Sequence, residues 1–253
     1  MKTAVVTGAS QGIGQAIACR LAREGWKVVL AARNAERLSS IAADLSAAGR
    51  SAAFAACDVT DEESVAELIG FAEDRYGWPD LLVNNAGIAG PTTPAWELSR
   101  QDWDEVIAAN LTGPWLCAKA VLPGMIQRGS GHVVNVASIT GKRPLPNRSP
   151  YASSKMAVIG LTRTLAAEVG RYSVRVNAVS PGVVEGPRIE GVLAGQAAAR
   201  DVTAEAVRAE FLASTPMERM VTPEEVAAAV VALDGLAGVT GVDLNVAAGL
   251  VMY

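Results

Sequence analysis

The sequence predicts an α/β fold in which helices cover both faces of a parallel sheet. Short apolar runs rich in β-branched residues alternate with longer segments of helical periodicity. This alternation is typical of repeated strand–helix–strand units, whose parallel strands are buried on both sides. The chain has 253 residues, half of them hydrophobic, and no repeat or long polar linker divides it. We therefore expect a single domain spanning residues 1–253.

Each apolar run is bounded by turn or helix-start residues, which places the elements in order. Seven strands are predicted: Lys2–Thr7, Lys27–Ala32, Ser51–Asp58, Leu81–Asn84, Gly131–Ser138, Val174–Ser180 and Asp243–Val246. Six helices are predicted: Gly12–Glu24, Ala35–Gly49, Glu62–Tyr76, Arg100–Gln127, Tyr151–Gly170 and Pro223–Leu236. The region after the sixth strand is irregular and mixes glycine, proline and short alanine-rich helical pieces. We expect residues 183–221 to form a mobile lid over a site at the strand ends.

Composition excludes several classes of function. The formal net charge is −4 and no run of basic residues occurs, so nucleic acid is not an expected partner. No apolar segment reaches the ~18 residues of a membrane span. The three cysteines and one histidine are scattered, which argues against disulfides and a metal site. The amino terminus runs directly into a strand. These features predict a cytoplasmic protein.

The first chemical motif is the glycine-rich turn Thr7–Gly14, which follows a strand and opens a helix. Gly8 permits a tight turn, Gly12 lets the backbone approach a pyrophosphate, and Gly14 allows close packing of the helix on the strand. The helix amino terminus offers free amides and a positive dipole end to phosphate groups. We expect the dinucleotide contacts to come from Gly8, Ser10, Gln11, Gly12, Ile13 and Gly14.

The end of the second strand indicates which dinucleotide binds. NAD-binding sites usually carry an acidic residue here for the ribose diol. This chain has Arg33 instead, and because Gln11 in the glycine loop is neutral, only Arg33 is expected to supply a basic group. An arginine can hold a 2′-phosphate by charge-assisted hydrogen bonds, so the sequence favours NADP(H), with NAD(H) as the alternative. The competing interpretation of Arg33 is a solvated residue at a helix start.

Polar residues also end the third and fourth strands. The carboxylate of Asp58 is placed to accept from an adenine amino group, with Val59 beside it. The segment Asn84–Gly87 is either a simple turn or one wall of the cofactor crevice. We count Asn85, Ala86 and Gly87 among the expected cofactor contacts.

The stretch Ser138–Lys155 carries the expected proton chemistry. Tyr151 and Lys155 are four residues apart in a predicted helix and so share one of its faces. A phenol is a poor acid or base at neutral pH, but a nearby ammonium favours the phenolate. The Ser138 hydroxyl, at the end of the preceding strand, can hydrogen-bond both the phenol and a carbonyl oxygen.

Taken in order, these motifs resemble the short-chain dehydrogenase/reductase family in its compact single-domain branch. The resemblance covers nearly the whole chain, and the ordered set is more specific than any one motif. The matching positions are Thr7, Gly8, Gly12, Gly14, Asp58, Asn84–Gly87, Asn110, Ser138, Tyr151, Lys155, Pro181 and Gly182. The resemblance implies a Rossmann-type, doubly wound sheet of seven parallel strands, a nicotinamide cofactor, and a homotetramer or homodimer.

The resemblance also implies a catalytic tetrad. Tyr151 would be the general acid in reduction and the base in oxidation, while Lys155 favours its phenolate and holds the nicotinamide ribose. Ser138 would orient the substrate carbonyl, and Asn110 would hold a water that links Lys155 to solvent. From its pattern alone, Asn110 is an ordinary exposed helix residue.

Two further segments are expected beside the nicotinamide and the substrate. Pro181 and Gly182 would pass beside the nicotinamide, and the amide of Val184 would bond its carboxamide. Gly186 stands where many members of the family have a threonine, so that hydroxyl contact is absent. The candidate substrate-pocket residues are Trp96, Ile139, Leu145, Val183 and Ile189–Leu193. Arg143 or Arg188 is a candidate to bind a substrate carboxylate, and the alternative is that both are solvated or paired with acidic residues.

The expected function is an NADP(H)-dependent oxidoreductase that interconverts a ketone or aldehyde and an alcohol, of the 3-oxoacyl reductase type or similar. Its only expected partner beyond its own copies is a small carbonyl or alcohol substrate. Three alternatives stay open at this point. One is an NAD(H)-dependent dehydrogenase of a sugar, diol or hydroxy acid, another is a nucleotide-sugar epimerase or dehydratase, and the third is a nicotinamide-binding regulator without turnover.

Overall fold

The computed structural model describes residues 1–253 and contains one sheet of seven parallel strands. The strands are β1 (Thr3–Thr7), β2 (Lys27–Ala32), β3 (Ala52–Ala56), β4 (Leu81–Asn84), β5 (Gly131–Val136), β6 (Val174–Pro181) and β7 (Asp243–Val246). Their number and order agree with the sequence pattern. The predicted α/β class with a doubly wound parallel sheet is confirmed.

Ten α-helices connect or flank the strands. They are α1 (Gly12–Arg23), α2 (Ala35–Ala47), α3 (Glu62–Tyr76), α4 (Arg100–Ile107), α5 (Gly113–Arg128), α6 (Ile139–Lys142), α7 (Ser149–Val169), α8 (Pro187–Arg200), α9 (Ala204–Ala213) and α10 (Pro223–Gly235). A π turn at Ala108–Thr112 joins α4 to α5, and a 3₁₀ turn at Gly170–Tyr172 follows α7.

The order of the strands creates the crevice in which a site can form. The sheet runs β3-β2-β1-β4-β5-β6-β7, so the chain builds outward from β1 on one side and then crosses to the other. The loops after β1 and β4 therefore leave in opposite directions at the carboxyl ends of the strands. Ligands of open parallel sheets bind at this point of reversal. Thr7 and Asn84, which end these two strands, stand at its edge.

The core lies in two layers, one on each face of the sheet. β1 shows why: Ala4 and Val6 belong to one apolar cluster and Val5 to the other, because successive strand side chains point to opposite faces. Helices α1, α2 and α10 cover the first face, and α3, α5 and α7 cover the second. Every residue of β1 is buried. The glycine loop that follows β1 is thus anchored at the centre of the molecule.

The long helix predicted over Arg100–Gln127 is not continuous. The five-residue π turn at Ala108–Thr112 separates α4 from α5. Pro114, in the first turn of α5, has no amide hydrogen and cannot donate to the carbonyl of Asn110 as a regular α-helix requires. The interruption places Asn110 at a point where the helical hydrogen-bond pattern changes, which is a common feature of functional sites.

Two predicted strands are shorter than expected, because polar side chains begin turns at their carboxyl ends. β3 ends at Ala56, and the Asp58 carboxylate accepts a hydrogen bond from the Thr60 amide at 3.0 Å. β5 ends at Val136, and Ser138 caps the short helix α6 instead of closing the strand. The region expected to be irregular, 183–221, contains α8 and α9.

Candidate active site

A cleft of about 1050 Å³ opens at the carboxyl ends of the strands. It is lined by the loops after β1, β2, β3, β4, β5 and β6, by one face of α7 and by α8. Every cofactor contact expected from the sequence lines this cleft, and so do Ser138, Tyr151 and Lys155. Asn110 does not line it, because its side chain lies wholly buried behind the cleft wall.

The glycine loop has the shape that a phosphate group requires. Gly8 and Gly12 have positive φ angles of 65° and 55°, which side chains rarely adopt. A Cβ at Gly8 would lie 2.8 Å from the Ala86 Cα, whereas a Cβ at Gly12 would meet nothing within 4 Å and would fill open space in the cleft. A Cβ at Gly14 would meet the backbone of Gly8, so the expected close packing is against the loop and not the strand.

The amino terminus of α1 supports the same interpretation. Gln11 precedes the helix in an extended conformation, and no side chain caps the first helical amides. The first turn contains no acidic residue. Free amides and the positive end of the helix dipole therefore open onto the cleft, where they suit an anion.

The end of the cleft next to the carboxyl end of β2 carries two guanidinium groups. Arg33 follows β2 and is exposed, as the sequence suggested. Arg37, on the first turn of α2, also lines the cleft, and its Nη1 donates to Gln11 Oε1 at 2.9 Å. The prediction that Arg33 alone supplies a basic group was therefore wrong. Asn34 caps α2 by accepting from the Arg37 amide, which orients Arg37 toward the glycine loop.

The Asp58 carboxylate is held in its charged form. Hydrogen bonds from the Thr60 amide and hydroxyl, together with the nearby Arg33 charge, lower the pKa of Asp58 and outweigh the effect of burial. Both bonds from Thr60 reach Oδ1, at 3.0 and 2.8 Å. Oδ2 remains available to an amino group, which fits the expected contact with adenine.

The asparagines after β4 fasten the loops together. Asn85 Nδ2 donates to the carbonyl oxygens of Thr7 and Gly8 at 2.9 and 3.1 Å. Asn84 is buried and donates to Asn135 Oδ1 and to the Pro114 carbonyl. The side-chain NH2 group of Asn85 therefore holds the glycine loop in place. Asn85, Ala86 and Gly87 also line the cleft.

Lys155 and Tyr151 lie together on the face of α7 that lines the cleft. Lys155 is 4% exposed, and its Nζ donates to the Val136 carbonyl at 2.8 Å and lies 5.9 Å from the centre of the Tyr151 ring. Burial, with a smaller effect of the Arg188 charge, lowers the pKa of Lys155 to about 7. The ammonium next to the phenol is thus only partly charged at neutral pH in the free protein.

Ser138 and Asn110 approach this pair from two other elements. The Ser138 oxygen accepts from the Thr140 amide at 3.1 Å, which leaves its hydroxyl proton free to donate into the cleft. The Asn110 side chain is fully used: Oδ1 accepts from the Ile88 amide, and Nδ2 donates to the Ile88 carbonyl and to Ser154 Oγ. Asn110 is not an ordinary exposed helix residue, and Pro114 cannot donate a hydrogen bond to its backbone carbonyl.

Comparison with known proteins identifies the family. A family model described as short chain dehydrogenase matches residues 2–197. The chain belongs to the short-chain dehydrogenase family. The putative ketoacyl reductase of Streptomyces coelicolor is 40% identical over 100% of this chain and 98% of its own length. The cis-4-hydroxycyclohexanecarboxylate dehydrogenase of Sinomonas cyclohexanicum is 42% identical, with 98% and 96% covered.

A solved structure agrees with the sequence relatives. The crystal structure of a variant of the actinorhodin polyketide ketoreductase with NADPH has a TM-score of 0.94 and 40% identity, with 100% of this chain and 98% of that chain covered. The expectation of a nicotinamide-dependent oxidoreductase acting on CH–OH groups is therefore confirmed. The alternative of a regulator without turnover is not supported, because these relatives are named as reductases and dehydrogenases.

Segment 183–221, which the sequence predicts to be a lid, follows β6 in this short-chain dehydrogenase. Val184 forms an isolated parallel β-bridge with Val221. In this bridge the Val221 amide donates to the Val183 carbonyl, and the Glu185 amide donates to the Val221 carbonyl. The amide of Val184 itself makes no hydrogen bond and lines the cleft, as a contact with a carboxamide requires. Of the candidate substrate residues, Ile139, Leu145, Val183, Ile189 and Val192 line the cleft, whereas Trp96 is 85% exposed elsewhere and was wrongly predicted.

The arginines in and around segment 183–221 divide into two groups. Arg200, Arg208 and Arg219 pair with Glu210, Glu190 and Glu225, the last of which is on α10, at 2.7, 2.7 and 2.6 Å. Arg188 has no carboxylate partner and donates to the Gly87 carbonyl at 2.7 Å, across the cleft. Arg143 is likewise without an acid and donates to Ser214 Oγ at 3.3 Å.

Two other kinds of feature are absent from the chain. No group of histidine, cysteine and acidic side chains is placed to hold a metal ion. No helix combines the length and hydropathy that a membrane-spanning segment needs.

Proposed function

We propose that this short-chain dehydrogenase interconverts a ketone and a secondary alcohol with NADP(H), with 3-oxoacyl compounds or similar ketones as the substrate class. One observation carries the proposal. The phenol–ammonium pair of Tyr151 and Lys155 stands beside Ser138 at one end of a cleft whose other end offers free helix amides and two guanidinium groups. The named relatives include ketoacyl reductases and a ketoreductase solved with NADPH.

The cofactor would lie along the cleft from Arg33 to Val184. The amides at the start of α1 and the open space at Gly12 suit its pyrophosphate, and Asp58 Oδ2 suits the adenine amino group. Arg33 and Arg37 suit a 2′-phosphate, and the free amide of Val184 suits the carboxamide. When bound, the nicotinamide supplies or accepts the hydride.

The protein residues would handle the proton. Ser138 donates its hydroxyl proton to the substrate carbonyl and holds that oxygen near Tyr151. Tyr151 gives its phenolic proton to the same oxygen as the alcohol forms, and takes it back in oxidation. Lys155 favours the phenolate, and the proton returns from solvent past the carbonyl of Asn110, which Pro114 cannot satisfy.

Removing either guanidinium at the ribose end is expected to weaken the preference for NADPH. A charge-assisted hydrogen bond contributes about 1.5–3 kcal/mol. In Arg33→Ala and Arg37→Ala, kcat/KM with NADPH should therefore fall at least about 10-fold, while kcat/KM with NADH changes less than about 3-fold. Steady-state kinetics with both cofactors and one ketone measures this.

The matched control is Arg50→Ala, which removes an exposed arginine between α2 and β3, away from the cleft. It should leave both values unchanged. Equal use of NADPH and NADH by the unmodified protein would contradict the proposed cofactor preference, whatever the variants do.

A second candidate function is oxidation of a hydroxy acid. The observation that favours it is the pair of cleft-lining arginines without an acid partner, Arg143 and Arg188, which suit a carboxylate. One relative is named as a dehydrogenase of a hydroxycyclohexanecarboxylate. If this function is correct, a keto acid should be preferred over its methyl ester at least about 10-fold in kcat/KM, and Arg188→Met should remove the preference. Equal rates with acid and ester exclude it.

We also propose that residues 183–221 act as a lid. Arg188 reaches Gly87, and Gln196 Nε2 donates to the Pro146 carbonyl at 2.9 Å, so α8 closes the cleft through a few polar contacts. Few apolar contacts and exposed ion pairs are typical of segments that open locally. Protection of the α8 amides from hydrogen exchange should therefore increase when NADP⁺ binds.

The assembly is proposed to be a homotetramer. Phe71 on α3, Trp103 on α4 and Trp115 on α5 are 37, 37 and 44% exposed on neighbouring helices, which supports an apolar contact with a second copy. Light scattering during gel filtration gives the mass directly.

The three cysteines are free thiols, which fits the reducing conditions of a cytoplasmic protein.

A further inference from the structure

Arg148 is a buried arginine next to the active site. It directly precedes α7, and only 4% of it is exposed. Its Nη2 donates to the Ala89 carbonyl at 2.8 Å, and its Nη1 reaches the Gly90 carbonyl and Thr92 Oγ1 at 3.3 and 3.4 Å. The buried Nε has no partner.

The position is unfavourable for a positive charge. No carboxylate pairs with Arg148, and burying an ion without a counter-ion is costly. The guanidinium also lies at the amino terminus of α7, where the helix dipole is positive. Burial, and to a smaller extent the Arg188 charge, lower the pKa of Arg148. The hydrogen bonds to the 89–92 loop use the donors of this side chain, but its positive charge has no carboxylate partner that would explain it.

One neighbour does explain it. The guanidinium carbon of Arg148 lies 5.1 Å from the centre of the Tyr151 ring, and Lys155 Nζ lies 5.9 Å from that centre. Two cations therefore lie near the phenol on which negative charge develops during the reaction. Apart from Arg33, Arg37 and Asp58 near β2 and β3, the charged groups that line the cleft are Glu105 on α4, Arg143 after α6, Arg148 and Lys155 at α7, Glu185 after β6, Arg188 and Arg200 on α8, and Glu210 on α9.

We propose that Arg148 is a positioning residue that acts through Tyr151, because its permanent charge stabilises the phenolate form of that side chain. The inference rests on the proposed function. In reduction, the phenolic O–H bond breaks and its proton bonds to the substrate oxygen as the hydride reaches the carbonyl carbon. Tyr151 is left as a phenolate until solvent returns a proton. In oxidation, the same phenolate takes the alcohol proton.

Lys155 alone is a weak source of this stabilisation. Its pKa is lowered to about 7 by burial, so much of its charge is lost as the pH rises above neutrality. A guanidinium keeps its proton throughout that range. Arg148 thus supplies positive charge under the conditions in which alcohol oxidation needs the phenolate.

The test is the pH profile of kcat for alcohol oxidation with saturating NADP⁺, in the unmodified protein, R148K, R148Q and R148M. Loss of the charge should make the phenolate harder to form. In R148Q and R148M the midpoint of the rising limb should move up by about 0.5–1.5 pH units. R148K keeps the charge with fewer hydrogen bonds, and its midpoint should stay within about 0.3 units of the unmodified value.

The control is Thr92→Val, which removes one acceptor from the same contact without changing any charge. Its midpoint should not move. A purely structural role for Arg148 predicts lower rates at every pH with an unchanged midpoint in R148Q and R148M, and that result overturns the inference. So does failure of both neutral variants to fold with NADP⁺ present. Absence of turnover in the unmodified protein across a ketone and alcohol panel would refute the proposed function itself.

Discussion

Replacement of Tyr151 with phenylalanine is expected to lower kcat/KM for ketone reduction at least about 10²-fold, and as much as about 10⁴-fold. Positioned acid–base groups contribute factors of this size. The variant keeps the ring, whose centre lies 5.1 Å from the Arg148 guanidinium carbon and 5.9 Å from Lys155 Nζ, and loses only the hydroxyl that transfers the proton. Binding of NADPH, measured by fluorescence titration, should change less than about 3-fold.

Tyr172→Phe provides the matched comparison. Tyr172 lies in the 3₁₀ turn after α7, and its hydroxyl contacts only Arg171. Its removal should leave kcat/KM unchanged. A Tyr151→Phe protein that retained a tenth or more of the activity would show that another group moves the proton, and would refute the assignment of Tyr151.

Replacement of Lys155 with methionine is expected to lower the activity and to raise the stability of the folded protein. Activity should fall at least about 10²-fold, because both the charge beside Tyr151 and the donor to the ribose are lost. Stability of the cofactor-free protein should rise in neutral and mildly acidic solution. The pKa of Lys155 is lowered to about 7 by burial, whereas an unfolded lysine titrates near ~10.4. The folded protein therefore bears the full cost of the buried charge below pH 7.

The sign of the pH dependence follows from these two values. Between pH ~7 and ~10 the folded protein releases the Lys155 proton while the unfolded chain keeps it, so the cost declines as the pH rises. The gain in unfolding free energy from Lys155→Met should then be about 2 kcal/mol smaller at pH 9 than at pH 7. Loss of the bond to the Val136 carbonyl costs the same at both values and cancels.

Urea denaturation at the two pH values measures this difference. Lys119→Met, which removes an exposed lysine paired with Glu62, is the control and should show no such dependence. An equal gain at pH 7 and pH 9 would mean that Lys155 keeps an ordinary pKa in the folded protein.

Much of the site could be predicted because it depends on local patterns. Gly8 and Gly12 follow a run of buried β-branched residues, and that context alone predicts a turn with positive φ angles. Tyr151 and Lys155 share a helix face because of their spacing. Parallel strands end at one edge of a sheet, so the residues after each strand had to meet.

Other features depend on contacts between distant segments, which no local pattern specifies. Arg37 is one of several exposed residues of α2, and only the path of the glycine loop brings Gln11 to it. The one signal in the sequence for a second basic group was that Arg37 lies in the first turn of the helix that begins just after Arg33. In the sequence, Arg148 looks like any charged residue on a protein surface. Its burial depends on the 89–92 loop, which folds over it. Pro114 did signal the break after Asn110, because a proline interrupts helical hydrogen bonding.

The π turn at Ala108–Thr112 has a consequence in evolutionary terms. A π turn holds one residue more than the α-helical turn it replaces, so it is the form that a helix takes after a single codon has been inserted. The extra residue lets α4 pack mainly on α7 and α5 mainly on α3, while the polypeptide between them bulges toward the cleft wall. A polar asparagine could thus enter a buried position by insertion, without an apolar core residue being replaced.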